Sequence, residues 1–311
     1  KGSDAVGRFI LRRFAMLIPV LVGVSLTAFL ILHLAPGDPA RLMAGVEASQ
    51  EDVDMLRHKF GLDRPLPVQY AMFVKGLVTG ELMSLRFESP AMEIILPKLK
   101  NTLILACASI VVAVVLGVTA GVLSATHRKS WIDYAATILS LFGISMPVFW
   151  WGLLLMLLFS VKLMWLPSGG MGTFRHIILP AVVLGTASTG IIARMTRSSM
   201  LDVLRQDYIT TAAAKGLTRR LVVNRHALRN ALIPTVTVVG LQFGQLLAGA
   251  VLTETVFTWP GIGRLLVTSI LARDLPVVQA TLVIIALLFV FVNLAVDILY
   301  AVLDPRIRYN G

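Results

Sequence analysis

The sequence predicts an all-α polytopic membrane protein with six transmembrane helices. Three observations predict it. Of 311 residues, 57% are hydrophobic and only 14% are charged, whereas soluble domains are nearer half apolar and a quarter charged. Six uncharged runs are long enough, or nearly so, to span roughly 30 Å of hydrocarbon. They are Phe14–Ala35, Leu103–Ala125, Tyr134–Val161, Ile177–Ala193, Ala231–Thr253 and Leu275–Val296. The third observation is where the charge lies. With loops assigned alternately from a cytoplasmic N-terminus, the inner side carries 16 Lys and Arg against 5 acids and the outer side 12 against 11. Nearly the whole net charge of +11 therefore sits on one face. That is the positive-inside pattern and argues against nucleic acid as the partner. It places both termini in the cytoplasm.

The first run follows Arg8, Arg12 and Arg13 and ends at "HLAPGDPA", where Pro36, Gly37 and Pro39 break the helix. It is longer than a signal-peptide core and has no small-residue cleavage site before Pro36, so an uncleaved span is expected. His33, near its outer end, reads as an interfacial or packing histidine rather than a ligand. Residues 36–100 have a soluble composition and form an extracytoplasmic layer too poor in apolar residues for a large core of its own. Within it, "SQEDVDMLRHKFG" predicts a short helix capped by Ser49 with Asp52, left through Gly61. "DRPLPVQYAMFVKGL" predicts a turn and a second amphipathic helix. The remainder, 101–304, is the membrane core, and 305–311 is a cytoplasmic tail.

In the core, Trp131, Trp165 and Trp259 fall at expected membrane–water boundaries. Trp150 and Trp151 read as packing residues. "GVTAG" and "GLQFG" are small-xxx-small pairs that permit close helix approach. The Ile177–Ala193 run is short and contains Pro180, which leaves its edges open. Cys107, the single cysteine, lies in an apolar run, so no internal disulfide is possible.

Several chemistries lack their residues. No H-E-x-x-H, G-x-S-x-G, CxxC or Walker-type phosphate loop occurs, and the five His are scattered. Ionisable groups in the spans reduce to Glu254 and Asp297 at span ends, too few for an ion-coupled carrier or an intramembrane protease. No catalytic residue, metal site or bound cofactor is expected on this chain. The pattern suits a pore whose energy comes from elsewhere.

The segment 194–230 lies between the fourth and fifth runs. It holds 8 Lys and Arg against 2 Asp. Thr210–Lys215 predicts a short Ala-rich helix ended by Gly216 in a left-handed conformation. A second helix is expected from Thr218, a plausible N-cap, towards Asn230. Small residues on the first piece let another protein come close; a solvated connector is the alternative.

This loop resembles the "EAA" loop of ABC importer permeases. Aligned on Gly216, only Ala212, Gly216 and Leu228 fit the general consensus; the leading Glu is absent and the Pro has moved to Pro234. The fit to the dipeptide, oligopeptide, glutathione and nickel branch is much closer, through "QDYITTAAAKGLTRRLVVNRHALRNALIP". Further family-like stretches include "LAPGDPA", "GISMPVFWWGLLL", "ARMTRSSMLDVL", "ETVFTWPGIGRLL", "RDLPVVQA" and "DPRIRY". One stretch departs, "GELMSLRFESPAMEIILPKLKNT", where the family pattern is closer to G-D-[FLW]-G-x-S.

The resemblance implies a type I ABC importer permease fold in a bacterial inner membrane. It implies a homologous second permease, two ATPase subunits that hold ATP and Mg, and an extracytoplasmic binding protein. It assigns ATPase coupling to Asp207, Tyr208, Thr211, Ala212, Ala213, Ala214, Lys215, Gly216, Leu217, Arg225, His226 and Arg229. Pathway candidates are Ser145 and Met146 on the third run and Gln242, Gln245, Thr253 and Glu254 on the fifth. Gln242 and Gln245, three apart, share a helix face; interhelical hydrogen bonding is their other reading. Expected cargo is a di- or oligopeptide or glutathione. The rival readings are a nickel permease and a carrier or channel acting alone.

Overall fold

The computed structural model describes residues 16–31, 38–45 and 47–303. The described chain is helical, with one isolated antiparallel bridge, Met83 to Pro90. In order, the helices are α1 Met16–Ile31, α2 Pro39–Ala44, α3 Gln50–Lys59, α4 Leu66–Thr79, α5 Ala91–Thr126, α6 Trp131–Ser145 and α7 Val148–Met156, which continues into a π-helical turn Leu157–Lys162. Then come α8 Arg175–Val203, α9 Asp207–Ala214, α10 Arg219–Leu221, a π-helical turn Val222–Ala227, α11 Leu228–Val256, α12 Ile262–Leu271 and α13 Leu275–Leu303. Arg8, Arg12, Arg13, His33, Pro36, Gly37 and the tail 305–311 lie outside the described residues.

The chain divides into two compact units. The first combines residues up to Thr102 with Pro260–Phe291. Asp38 caps α2 by accepting from Ala40 N, with Pro39 at the start. Ser49 and Asp52 form the expected reciprocal capping box on α3, and Gly61 leaves at φ +63°. α3 buries Val53 alone, and α4 buries Gln69 and Phe73. The apolar face of α4 gains a core from other helices: Ala28 and Phe29 of α1, Phe73 of α4 and Val283 of α13 cluster together. Phe29 meets Tyr70 edge-on at 5.5 Å. A second cluster joins Ala91 and Ile95 to Ile262, Leu265, Val277 and Ala280. Thr102 Oγ1 accepts from Ile262 N at 2.9 Å, satisfying one free N–H at the start of α12.

The second unit combines Leu103–Trp259 with the chain from Val292. Its central member is α8. A Cβ on Gly117 or Gly121 of α5 would come within 2.9 or 2.6 Å of Ile192 or Thr196 side-chain atoms, so the "GVTAG" pair does allow close helix contact. On another face, a Cβ on Gly190 would sit 2.4 Å from Ser140 O of α6. Trp259 is 2% exposed and packs with Leu105, Ala181, Leu184, Leu246 and Ala250. Trp131 and Trp165 are exposed, at 77% and 63%. Trp151 donates to Thr186 Oγ1 at 3.2 Å, as a packing residue should.

The third expected span is not one helix. α6 and α7 diverge by 108° at Met146–Pro147. Pro147 has no N–H and its ring would strike the carbonyl four residues back. It also pushes the preceding residue out of the helical region, and Met146 sits at φ −77°, ψ 130°. The fourth run lies within the longer α8, which passes Pro180 and Arg194 without a break. By length and composition, four described helices can cross a membrane: Ala91–Thr126, Arg175–Val203, Arg219–Val256 and Leu275–Val296. The bent α6–α7 pair would be a fifth. α1 is shorter, and both ends of the run it represents lie outside the described residues.

Candidate coupling surface and pathway

α8 ends at Val203, and a three-residue turn leads into α9. Gln206 is extended, and Asp207 places a carboxylate in the first turn, where the helix dipole favours it. The helix therefore begins before the expected Thr210 and ends at Ala214. Its eight residues are amphipathic. Ile209 and Ala212 insert among Ala125, Met200, Val222, Ala227 and Ala231. Asp207, Tyr208, Thr211, Ala213, Ala214 and Lys215 stay exposed. Ala212 thus seats α9 on its own chain, and the small residues open to a visitor are Ala213 and Ala214.

The exit from α9 is built on backbone geometry. Gly216 has φ +80°, and a Cβ placed there would meet nothing within 4 Å. Glycine is therefore required for conformation, not for space. Leu217 is half-buried against the same cluster. Thr218 is extended and precedes α10, but its hydroxyl makes no cap bond. The second helical piece does not stop at Asn230. It continues through α11 to Val256, because nothing at Asn230–Ala231 breaks a helix; a change of polarity does not end one. Asn230 Nδ2 donates to Tyr208 OH at 2.7 Å, tying α11 to α9. Arg219 donates to the Thr126 carbonyl at 2.7 Å. Arg225 and Arg229 are exposed, and His226 is half-buried in the π-helical turn.

Beside this seat lies a group with no counterpart among the expected site residues. Arg197 of α8 forms a two-pronged ion pair with Asp133 of α6: Nε to Oδ1 at 2.8 Å and Nη2 to Oδ2 at 2.9 Å. Ser124 Oγ also donates to Oδ1, and Lys129 N–H donates to Oδ2 at 3.0 Å. Asp133 is 5% exposed. An acid at the very edge of an apolar run was the available signal, but no spacing links it to Arg197.

The pathway candidates separate into three places. Gln242 is buried, accepts from Ser188 Oγ at 3.0 Å and donates to Gln245 Oε1 at 3.3 Å. Gln245 itself is exposed. Thr253 and Glu254 lie about 12 Å further along α11 at 1.5 Å per residue, and they are 1% and 0% exposed. They face the interior of this chain, not an open wall. Ser145 is exposed and Met146 half-buried at the α6–α7 break. Among the described residues, no three His, Cys, Asp or Glu converge as a metal site.

Residues 117–309 match the family described as binding-protein-dependent transport system inner membrane component. Residues 6–94 match the N-terminal region of such membrane components. The chain belongs to this family. The permease is 45% identical to the dipeptide transport system permease protein DppB of Alkalihalophilus pseudofirmus, over 97% of this chain and 99% of that protein. It is 46% identical to the glutathione transport system permease protein GsiC of Pectobacterium atrosepticum, with the same coverage. Its fold is that of an ABC importer permease. A structure of the MetNI methionine ABC transporter in inward facing conformations superposes with a TM-score of 0.59 at 20% identity, covering 69% of the permease and 98% of that chain.

Proposed function

We propose that the permease forms half of the translocation pathway of an ATP-driven importer for di- or oligopeptides or glutathione. A homologous second permease supplies the other half. Two ATPase subunits hold ATP and Mg and close beneath α9. An extracytoplasmic binding protein delivers cargo, and both termini are cytoplasmic. The observation that carries this reading is α9 itself. A short helix stands on its own apolar seat, presents Ala213 and Ala214 outward, and ends at a glycine fixed by geometry. Small exposed side chains allow a groove to enclose the helix, and the seat beneath carries its displacement into α5, α8 and α11. Gln245, exposed and held by the buried Gln242, offers amide donors and acceptors of the kind that backbone-rich cargo needs. The names of the relatives favour peptide or glutathione as cargo.

The test is uptake in liposomes holding this permease, its partner permease, the ATPases and the binding protein. A dipeptide, glutathione and a nickel salt are offered in turn. ATP-dependent uptake of the first or second, lost when any component is left out, supports the reading. Flux through this chain alone, without ATPases, overturns it. Uptake of nickel alone would move the cargo assignment to the metal.

A further inference from the structure

Two kinds of contact hold α6 to α8. One is close apolar packing at glycines: Gly190 against Ser140 O and Ile144, and Gly143 against Thr186. Such packing fixes the distance between helices but weakly resists sliding, because dispersion forces are not directional. At one end stands the Asp133–Arg197 pair, which is directional. Two parallel N–H···O bonds hold a guanidinium and a carboxylate in one relative orientation. Ser124 of α5 and the Lys129 N–H of the α5–α6 turn occupy further lone pairs of the carboxylate.

The pair's position matters more than its strength, since a buried ion pair by itself is weak grounds for stability. Arg197 lies one turn before Met200, and Ser124 adjoins Ala125. Met200 and Ala125 belong to the seat of α9. The pair is therefore the next layer beyond that seat. From Asp133, α6 runs unbroken to Ser145, about 18 Å of helix, and stops at the Met146–Pro147 break. One end of this rod is clamped one layer from the seat of α9, and the other carries two pathway candidates.

We infer that Asp133 and Arg197 are positioning residues for energy coupling: they fix the axial register of α6 on α8, so that displacement of α9 reaches the α6–α7 break. This rests on the reading of α9 as the ATPase-contacting helix.

The experiment uses the complete reconstituted importer. Uptake and ATP hydrolysis are measured in the same vesicles, with thermal stability alongside. In Asp133→Asn, cargo moved per ATP falls roughly tenfold, within the ordinary range of coupling free energies, while hydrolysis continues. Arg197→Lys keeps the charge without the two-pronged geometry and gives an intermediate loss. Ser124→Ala gives a smaller one. An unchanged ratio in Asp133→Asn overturns the inference. So does a parallel fall of uptake, hydrolysis and stability, which is the mark of a merely structural pair. Should Asp133→Asn fail to assemble, Arg197→Lys and Ser124→Ala decide, and unchanged ratios in both overturn it. Gly216→Val is the reference. Wild-type uptake there means the α9 reading has failed; lost uptake there beside a normal ratio in Asp133→Asn means this inference alone has failed.

Discussion

The Ser84 hydroxyl donates to the carboxylate of Asp274, a residue 190 positions later in the chain. Leu85 N–H donates to the other oxygen at 3.1 Å, and Arg86 N–H lies 3.4 Å from the first. Both side chains are buried. The carboxylate closes the turn between Met83 and Pro90 and leaves Arg86 and Phe87 exposed at its tip. The stretch that departs most from the family pattern is thus ordered by the Asp of the family-like "RDLPVVQA".

Asp274→Asn should loosen that turn. An amide has one acceptor oxygen and presents N–H to a donor on its other side. Losing a charged acceptor that is buried costs about 1–3 kcal/mol. A lower Tm with faster amide exchange at Leu85 and Arg86 is expected. Unchanged exchange would show that the bridge and helix ends hold the turn unaided.

Gly121→Val should be strongly damaging. A Cβ at Gly121 already meets Thr196 at 2.6 Å and the Ala193 carbonyl at 2.7 Å. Backbone cannot give way as a flexible side chain does, and overpacking costs about 1–3 kcal/mol or more. The yield of monodisperse complex should fall sharply, and that of Gly249→Ala, where a Cβ would meet only Leu184 Cδ1 at an ordinary 3.7 Å, should fall far less. Equal yields would mean α5 and α8 can separate freely.

Gly216 separates conformation from space. Gly216→Val forces a branched residue to φ +80° and should abolish uptake and cargo-stimulated hydrolysis together. Gly216→Asn should retain much of both, because Asn tolerates the left-handed region. Should Asn be as inactive as Val, the loss comes from side-chain bulk against the ATPase and not from backbone geometry.

Topology is testable with single cysteines in a Cys107→Ala background. An impermeant reagent should label a cysteine at Gln50 in intact cells and miss one at Thr218. The opposite labelling would invert the charge-based orientation.

The α3 capping box gives a pH dependence. The Ser49 hydroxyl, and next the Ser49 N–H, hold the Asp52 carboxyl below its ordinary 3.8. A depressed carboxylate contributes stability above its unfolded pKa and loses it as pH falls through the folded value. Amide protection in α3 should be flat above about pH 5 and decline in more acid solution. Asp52→Asn should remove the decline.

Local chemistry was legible in the sequence where a few adjacent residues decide it. The Ser49–Asp52 box, the left-handed Gly216 and the close approach at Gly117 and Gly121 could all be anticipated. Boundaries drawn from polarity were less faithful. Arg194 and Asn230 end apolar runs but not helices, since neither residue breaks one. Met146–Pro147 read as part of a span because its neighbours are apolar, although the proline already carried the break. Asp133 and Arg197 were counted as loop charges. Pairing between helices leaves no trace in spacing, so a clamp closed across 64 residues could not be seen from either end.

That separation also sets a schedule for making the protein. At roughly 5–20 residues per second of synthesis, Arg197 follows Asp133 by about 3–13 s. Throughout that interval the nascent chain holds an acid at the rim of a greasy helix without the guanidinium it pairs with in the folded protein. α6 is therefore provisional until α8 has been made, and quality control can act on it in the meantime. A substitution that removes the charge at Arg197 should therefore lower the amount of permease per cell as well as the coupling of the molecules that assemble.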